Sequence, residues 1–305
     1  MKKFASAFAF SLLAAGTAVA ADMPLKAPPP PATPVMTWTG FYIGLNAGGA
    51  WDDNHSVDTR GVAVQGLADG IGPGSFAANS AAAATGSAGF GNDGRFIGGG
   101  QIGYNWQFGR TVAGFEADID GLSQHTRTSI LNTTVGPFPF AGAPEVITSQ
   151  TTATRTLDYL GTIRARLGFL ATPSFLLYAT GGGAYGGIRA STVVAQSNND
   201  CVFFPGNCLT PNAVSTLGSA SDTRFGWTAG VGGEWMVAPQ WSIKAEYLYY
   251  DLGNLTYNST VTTLGGTFQP ANSAIVNVQS TAKFNGSVAR VGINYHFSGP
   301  VVARY

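Results

Sequence analysis

The chain has 305 residues, with 16 acidic and 16 basic side chains that give it a formal net charge of zero. Charged residues make up 10% of the sequence, against roughly 25% in ordinary soluble domains, while aromatic residues reach 12% and glycines number 42. The chain has no excess of basic residues that would attract nucleic acid. After the N-terminal leader, no run of apolar residues reaches the roughly 18 residues of a membrane-spanning helix. Nucleic-acid binding and a helical membrane span are therefore excluded. A β-barrel, which satisfies its backbone within its own closed sheet, remains.

The N-terminus has the pattern of a cleaved signal peptide. Lys2 and Lys3 precede a short apolar core, and "AVA" at 18–20 forms a small-residue cleavage site. We therefore expect residues 1–20 to direct export and to be removed. Loss of these two lysines from a chain of net charge zero leaves about −2, so the exported chain has no basic field for nucleic acid.

Three regions follow the signal peptide. Residues 21–36 are rich in proline and are expected to form an extended periplasmic spacer. Residues 37–297 are expected to form one barrel, and residues 298–305 a short C-terminal extension.

The barrel region contains eight segments that alternate as half-buried strands do. In "VAGFEADIDG" (112–121), Phe115 and Ile119 fall on one face, and Glu116, Asp118 and Asp120 fall on the other. The other seven segments are 38–48, 95–108, 155–169, 174–186, 223–237, 240–251 and 287–297. Tight joins alternate strictly with connections of roughly thirty to forty residues, as in outer-membrane barrels.

This pattern predicts an all-β fold: a transmembrane, eight-stranded, antiparallel, up-and-down β-barrel with four long outer loops and short periplasmic turns. The acidic face then points inward, the apolar face meets lipid, and both termini are periplasmic. An aromatic girdle is expected near the short turns, formed by Trp106, Phe108, Phe169, Trp235, Trp241, Tyr295 and Phe297. Tyr247 and Tyr249 are expected to approach the other interface. The low-complexity stretch 76–91 in the first long loop is expected to be mobile.

Four segments carry a family resemblance: "WTGFYIGLNAG", "LLYATGGGAYG", "GWTAGVGGEW" and "RVGINYHF". They resemble the small outer-membrane porin-like proteins of alphaproteobacteria, often called outer-membrane immunogenic proteins, which have an OmpA-type eight-stranded barrel. The resemblance covers nearly all of the chain after the signal peptide. It implies a place in the Gram-negative outer membrane, with outer-membrane lipid and lipopolysaccharide around the barrel.

Two further roles follow from the resemblance. The last segment looks like the signal read by the barrel-assembly machinery, formed here by Arg290, Gly292, Tyr295 and Phe297. Family members commonly end at this phenylalanine, whereas this chain continues to Tyr305, which is the other candidate end of the signal. Related barrels can also be joined to peptidoglycan through an N-terminal alanine followed by an acidic residue, as Ala21 and Asp22 would be after cleavage.

The inward positions of the predicted strands are rich in charge. They are expected to form a network of Glu116, Asp118, Asp120, Asp158, Arg164, Arg166, Glu234, Lys244, Glu246 and Arg290. Eight strands leave an interior just wide enough for side chains, and buried charges must pair or keep water. Two interpretations use the same residues and stay open: an ion-pair plug that rigidifies the barrel, and a narrow charge-lined pore.

No catalytic residues, metal or cofactor are expected. Two stretches with the spacing of a dinucleotide-binding motif, 89–94 and 98–103, lack the strand-to-helix context that a phosphate site needs. Cys201 and Cys208 are expected to form a disulfide, because an even pair in an exported chain favours one. The predicted role is therefore structural and non-enzymatic, namely envelope integrity and a surface presented outside. A small-solute channel and a loop-mediated adhesin or receptor are the alternatives; a monomer is expected, with an oligomer left open.

Overall fold

The computed structural model of the chain describes residues 37–53, 56–65, 75–91, 94–122, 125–137, 144–198, 213–264 and 273–297. Several predictions fall outside these ranges: the signal peptide, the spacer with Ala21 and Asp22, the pair Cys201 and Cys208, and residues 298–305. Within the described ranges, no helix has the length and hydropathy needed to cross a bilayer.

The elements are antiparallel strands with one short helix in the described part. They are β1 (Gly40–Asp52), β2 (Ser56–Gln65), α1 (Ser75–Ala83), β3 (Gly86–Gly89), β4 (Arg95–Phe108), β5 (Thr111–Leu122), β6 (His125–Pro137), β7 (Pro144–Thr172), β8 (Phe175–Asn198), β9 (Ala213–Ala238), β10 (Trp241–Leu264) and β11 (Ser273–His296).

The sheet closes on itself. Each strand pairs with the next in the order β1-β4-β5-β7-β8-β9-β10-β11, and β11 returns to β1 from the pair Tyr42 and His296 to the pair Asp52 and Gly286. A closed ring removes unpaired strand edges, which is what a sheet needs in lipid. The predicted antiparallel barrel is confirmed. The described ranges hold eleven strands rather than the predicted eight, because three strands lie beyond the region where the ring closes: β2 pairs with β11, β6 pairs with β7, and β3 pairs with β2.

The strands on one side of the ring are far longer than predicted. β7 to β11 have 24 to 29 residues each, whereas a transmembrane strand needs only about 9–11. Their far ends, together with β2, β3, β6 and α1, form what we call the strand extension. In the described residues, the four predicted long loops therefore contain regular structure: 52–94 holds β2, α1 and β3, 122–154 holds β6 and part of β7, and 187–222 and 252–282 hold the ends of β8 to β11.

In part of the strand extension, apolar residues occupy the inner face that polar residues occupy in the ring. In the ring, Phe115 is 58% exposed on the outer wall while its neighbour Glu116 is 3% exposed inside. In the extension, Val276 and Val278 of β11 are buried inside and Gln279 is exposed. The predicted inside-out arrangement is confirmed for the ring. This change marks the level at which the sheet leaves lipid, because an exposed polar outer face is favourable only outside the membrane.

The stretch 76–91, predicted to be mobile, is folded. It forms most of α1 and all of β3, and Ala81 and Ala84 pack against Val194, Val276 and Val278 inside the extension. Alanine favours a helix and its small side chain lets the helix fit between the strands. The alanine-rich composition that suggested disorder is thus what allows a short helix to form in the narrow space between the strands.

The aromatic girdle lies where the sequence predicted it. Trp106, Phe108, Phe169, Trp235, Trp241 and Phe297 are exposed on the outer wall near the short turns. Tyr295 lies between Trp241 and Phe297, with ring centroids 5.1 and 5.2 Å away. Towards the extension, Tyr247 is exposed and Tyr249 stacks 5.3 Å from Trp227. Two aromatic belts are typical of a membrane-spanning wall.

Candidate functional site

Nine of the ten predicted network residues meet inside the ring, in what we call the charged belt: Glu116, Asp118, Asp120, Arg164, Arg166, Glu234, Lys244, Glu246 and Arg290. Strand register aligns many of them as neighbours. Glu116 pairs with Arg164 across β5 and β7, and Glu246 pairs with Arg290 across β10 and β11. The alternation of each strand turns them all inward.

Arg164 is the centre of the belt. Its Nη1 donates to Glu246 Oε1 at 2.8 Å, and its Nη2 donates to Glu116 Oε1 at 2.6 Å and to Asp118 Oδ2 at 2.7 Å. Its Nε donates to Thr162 Oγ1 at 2.8 Å. One guanidinium thus joins the β5 wall to the β10 wall with charge-assisted hydrogen bonds.

Arg290 makes a second set of links to the same acids. Its Nε and Nη2 donate to Glu246 Oε2 at 3.0 and 2.8 Å, its Nη2 also donates to Asp118 Oδ2 at 2.8 Å, and its Nη1 donates to Asp120 Oδ2 at 2.5 Å. Asp118 and Glu246 therefore each contact two arginines. Sharing of this kind compensates charges that water does not reach.

The other two cations lie on the short-turn side of the belt. Arg166 Nη2 donates to Glu234 Oε2 at 2.7 Å, and its guanidinium lies over the ring of Tyr178, 4.0 Å from the centroid. Lys244 Nζ donates to Glu116 Oε1 at 2.7 Å. The nine residues comprise five acids and four cations, and no member exposes more than 5% of its surface.

The tenth predicted member, Asp158, lies outside the belt, and this part of the prediction is wrong. β7 has a bulge there, since Leu157 pairs with Ile188 and Tyr159 pairs with Gly187. The extra residue shifts the alternation by one position, so Leu157 is buried inside and Asp158 turns outward. Asp158 Oδ2 instead lies 3.0 Å from Nε of the exposed Arg189.

Uncharged groups that the sequence did not single out complete the belt. The hydroxyl of Tyr42 donates to Glu116 Oε2 at 2.7 Å, and that of Tyr178 donates to Glu246 Oε1 at 3.2 Å. Ser242 Oγ and Asn294 Nδ2 donate to Glu234 Oε1 at 2.5 and 2.7 Å. All four are at inward positions of strands, which is the signal that could have found them.

His296, Ser242 and Glu234 have the residue types of a hydrolytic triad but not its geometry. His296 Nε2 lies 2.9 Å from Ser242 Oγ and 3.5 Å from Glu234 Oε1, so both partners face the same ring nitrogen. In a triad the acid binds the opposite nitrogen and the serine is open to substrate, whereas here all three side chains are fully buried. Among the described residues, no group of three or more His, Cys, Asp or Glu could hold a metal.

Apolar layers lie on both sides of the charged belt. On the short-turn side, Trp38, Val112, Leu170, Leu176 and Met236 form one buried cluster. Towards the extension, a larger cluster includes Ile97, Leu157, Leu160, Leu248 and Val288. The bore of the ring is thus filled along its length by alternating apolar and charged layers.

A smaller ion cluster lies in the larger apolar layer. Asp52 forms ion pairs with Arg95 and Arg155, and Arg155 Nη1 also donates to the carbonyl of Lys283 at 2.6 Å. The Arg155 guanidinium lies 5.1 Å from the ring centroid of Phe284. This cluster joins β1, β4, β7 and β11 where the extension begins.

The residues of the predicted assembly signal occupy the strand that closes the ring. Arg290 belongs to the charged belt and Gly292 is buried beside it, while Tyr295 and Phe297 face outward. The backbone N–H of Phe297 donates to the carbonyl of Phe41 at 2.9 Å, at the seam between β11 and β1. Recognition by the assembly machinery stays a prediction.

Closed antiparallel strands with an apolar outer wall, two aromatic belts and a charged interior define a transmembrane β-barrel of the outer-membrane type. The family model "Outer membrane protein beta-barrel domain" matches residues 8–297. The chain belongs to this family, and the protein is located in the outer membrane.

Two relatives, identified by their sequences, agree with this assignment. The chain is 32% identical to the 31 kDa outer-membrane immunogenic protein of Brucella melitensis over 292 residues, which is 93% of this chain and 95% of that protein. It is 24% identical to the 22 kDa outer membrane protein of Rhizobium leguminosarum bv. viciae over 231 residues, which is 75% of this chain and 71% of that protein. The solved structure of the outer membrane protein OprG from Pseudomonas aeruginosa is similar with a TM-score of 0.36 and 12% identity, over 87% of this chain and 100% of that chain. The resemblance to outer-membrane immunogenic proteins is confirmed.

Proposed function

We propose that the protein is a structural, non-enzymatic barrel that supports the integrity of the outer membrane and presents its strand extension at the membrane surface. The observation that carries the proposal is the filled bore. The charged belt exposes at most 5% of any member to water, and an apolar layer lies on each side of it.

A filled bore favours the ion-pair plug over the narrow, charge-lined pore. Conduction requires a continuous wet path in which binding is weak enough for an ion to leave. Here Arg164 and Arg290 are each bound to several acids, and Trp38 lies fully buried in the bore on the short-turn side. Opening a path would break charge-assisted bonds on several strands at once.

Planar-bilayer recording tests the plug directly. We expect the refolded protein to give no steady openings, while a general porin in the same bilayers controls for insertion. Steady openings whose conductance changes in Arg164→Gln would overturn the proposal and favour the channel.

Envelope integrity is tested in cells. Deletion of the gene is expected to increase sensitivity to detergents and the release of outer-membrane vesicles, and a plasmid copy is expected to restore both. Unchanged sensitivity and vesicle release in the deletion strain would contradict the structural role.

We also propose that the mature N-terminus is joined to peptidoglycan through Ala21. In support, the chain is fixed where it enters β1: the backbone N–H of Trp38 donates to Gln107 Oε1 at 2.9 Å, and its indole N–H donates to the carbonyl of Pro173 at 3.1 Å. A pull on the spacer would therefore act on an anchored residue. Purified sacculi, boiled in detergent and digested, should yield peptides in which Ala21 carries a peptidoglycan fragment; finding only free N-termini would end this part of the proposal.

A further inference from the structure

One side of the strand extension presents an outward surface without charge. We call it the uncharged face, and it consists of the outward-pointing residues within 129–135 of β6, 146–152 of β7, 193–197 of β8 and 213–217 of β9. None of these segments contains Asp, Glu, Lys or Arg. Strand register places Leu131, Gln150, Ala195 and Ser215 in one row across the four strands, so the face is a regular grid of hydroxyl and aliphatic groups.

Large aliphatic side chains are exposed on this face. Leu131 is 68% exposed, and Val135 and Leu217 are each 63% exposed, all on paired strands outside the membrane wall. They lie on β6 and β9, at the two sides of the face, and an ordered surface that exposes several large apolar groups is a candidate interaction site. On the opposite half of the extension, β2 carries the charged residues Asp58 and Arg60, and on the near half the exposed Arg127 lies two residues before the face begins on β6.

We propose that the uncharged face is a self-association surface on which a second copy of this chain docks about a twofold axis normal to the membrane. A neighbour in the same membrane presents the same face at the same height, so rows of hydroxyl and aliphatic groups meet equivalent rows. A twofold contact brings a surface against itself, and like charges would oppose it. The four segments of the uncharged face contain no charged residue, so this repulsion is absent within them.

The contact has enough surface for a stable dimer. With strands about 4.8 Å apart and about 3.3 Å per residue, seven residues on β6 and β7 and five on β8 and β9 give the face roughly 380 Å². Below it, the outer wall of β7, β8 and β9 contains an apolar groove of about 650 Å³, lined in part by Leu167, Leu177 and Val231. Three strands of that wall add roughly 370 Å², so the two zones together approach the roughly 800 Å² that each partner buries in a standard interface.

The zone between the face and the groove contains two exposed ion pairs and the exposed Arg127 of β6. Arg189 pairs with Asp158 and Arg224 pairs with Asp222, each with an N–O distance of 3.0 Å. Each of these two pairs neutralises its own charges, so neither adds net charge opposite an identical neighbour.

Cross-linking in isolated outer membranes tests the proposal with two matched glutamines. Gln150 lies near the centre of the uncharged face and Gln279 lies on the opposite half of the extension, and both are exposed. In a background that carries Cys201→Ser and Cys208→Ser, Gln150→Cys should give a covalent dimer with a short bis-maleimide, and Gln279→Cys should not. Equal dimer from both variants, or none from either, overturns the proposal.

Charge insertion provides the second measurement. When two differently tagged copies are expressed together, Gln150→Lys in both should lower their co-purification roughly tenfold, because two added positive charges face each other, and Gln279→Lys should leave it unchanged. Heat-modifiable migration on gels shows that each variant is folded. If wild-type copies do not co-purify and the groove retains only lipid by native mass spectrometry, the occupant is lipid and the proposal is wrong.

Discussion

Arg164 on β7 reaches Glu246 on β10 through the middle of the barrel, with Nη1 2.8 Å from Oε1. The two strands are not neighbours in the ring, since β8 and β9 lie between them on one side. The contact therefore braces opposite walls, which hydrogen bonds between adjacent strands cannot do. Its loss should affect the whole ring.

Arg164→Ala is expected to destabilise the barrel by about 3–5 kcal/mol, because it leaves Glu116, Asp118 and Glu246 buried without their central partner. Urea unfolding in lipid vesicles, followed by tryptophan fluorescence, measures the change. Arg189→Ala is the control. It removes a largely exposed pair and should cost at most about 1 kcal/mol. Similar losses for the two variants would show that the belt adds nothing beyond a surface ion pair.

Asp158→Ala should change the free energy of unfolding by less than about 1 kcal/mol, because this acid points outward beside Arg189. Asp118→Ala should cost several times more, because Asp118 accepts hydrogen bonds from both Arg164 and Arg290. The same unfolding assay compares the two. A large loss for Asp158→Ala would contradict the bulge in β7.

Phe115→Arg places a charge on the lipid-facing wall and should cost roughly 2–4 kcal/mol near the membrane midplane. Folding yield in vesicles and heat-modifiable migration measure the effect, and Phe115→Leu controls for the lost aromatic ring. Gly114 is a poor inward control, since an added Cβ would lie 2.5 Å from the carbonyl oxygen of Tyr104. Wild-type insertion of Phe115→Arg would reverse the assignment of the two faces.

Trp38→Ala should destabilise the barrel by about 3–5 kcal/mol, because it leaves a cavity in the buried cluster at the short-turn end. It should not produce steady openings in planar bilayers, because the charged belt still fills the bore. Trp106→Ala, on the exposed outer wall, controls for the loss of a girdle residue. Steady conductance in Trp38→Ala would mean that this tryptophan alone seals the barrel.

The strand extension should resist protease although its sequence suggested long loops. Arg60, Arg127, Arg189 and Arg224 are trypsin sites that lie within paired strands. Limited trypsin digestion of the folded protein, read by mass spectrometry, should leave these bonds intact until the sample is heated. Rapid cleavage at Arg127 or Arg189 in the folded protein would mean that the extension opens readily.

The wall of the barrel could be predicted from the sequence because lipid enforces strict alternation. Phe115 beside Glu116, and Ile163 beside Arg164, leave no doubt about which face is which once the chain is placed in a membrane. The charged belt followed from the same alternation. Nine of the ten predicted members are correct, because charged residues at alternate positions of a strand point to the same side of the sheet.

The strand extension, the position of Asp158 and the apolar layers could not be predicted from the sequence, for physical reasons. In the extension, the interior accepts hydroxyls such as Ser149 and Thr151 beside valines, so the contrast between the two faces fades. At Asp158, one bulged residue reverses the alternation of inward and outward side chains, and the sequence gives no sign of the bulge. The apolar layers were not predicted, because the alternation shows which positions point inward and not that inward residues such as Val112 and Met236 form apolar layers.

The position of Arg290 couples neutralisation of the barrel to its completion. β11 is the last strand of the ring, and it carries the guanidinium that contacts Asp118, Asp120 and Glu246 on β5 and β10. Until that strand is in place, these acids lack one of their cations and must keep water around them. The pairing of β11 with β1 and the loss of water from the interior are consequently one event. A barrel that lacks its final strand keeps water inside, and this internal water distinguishes it from a finished barrel.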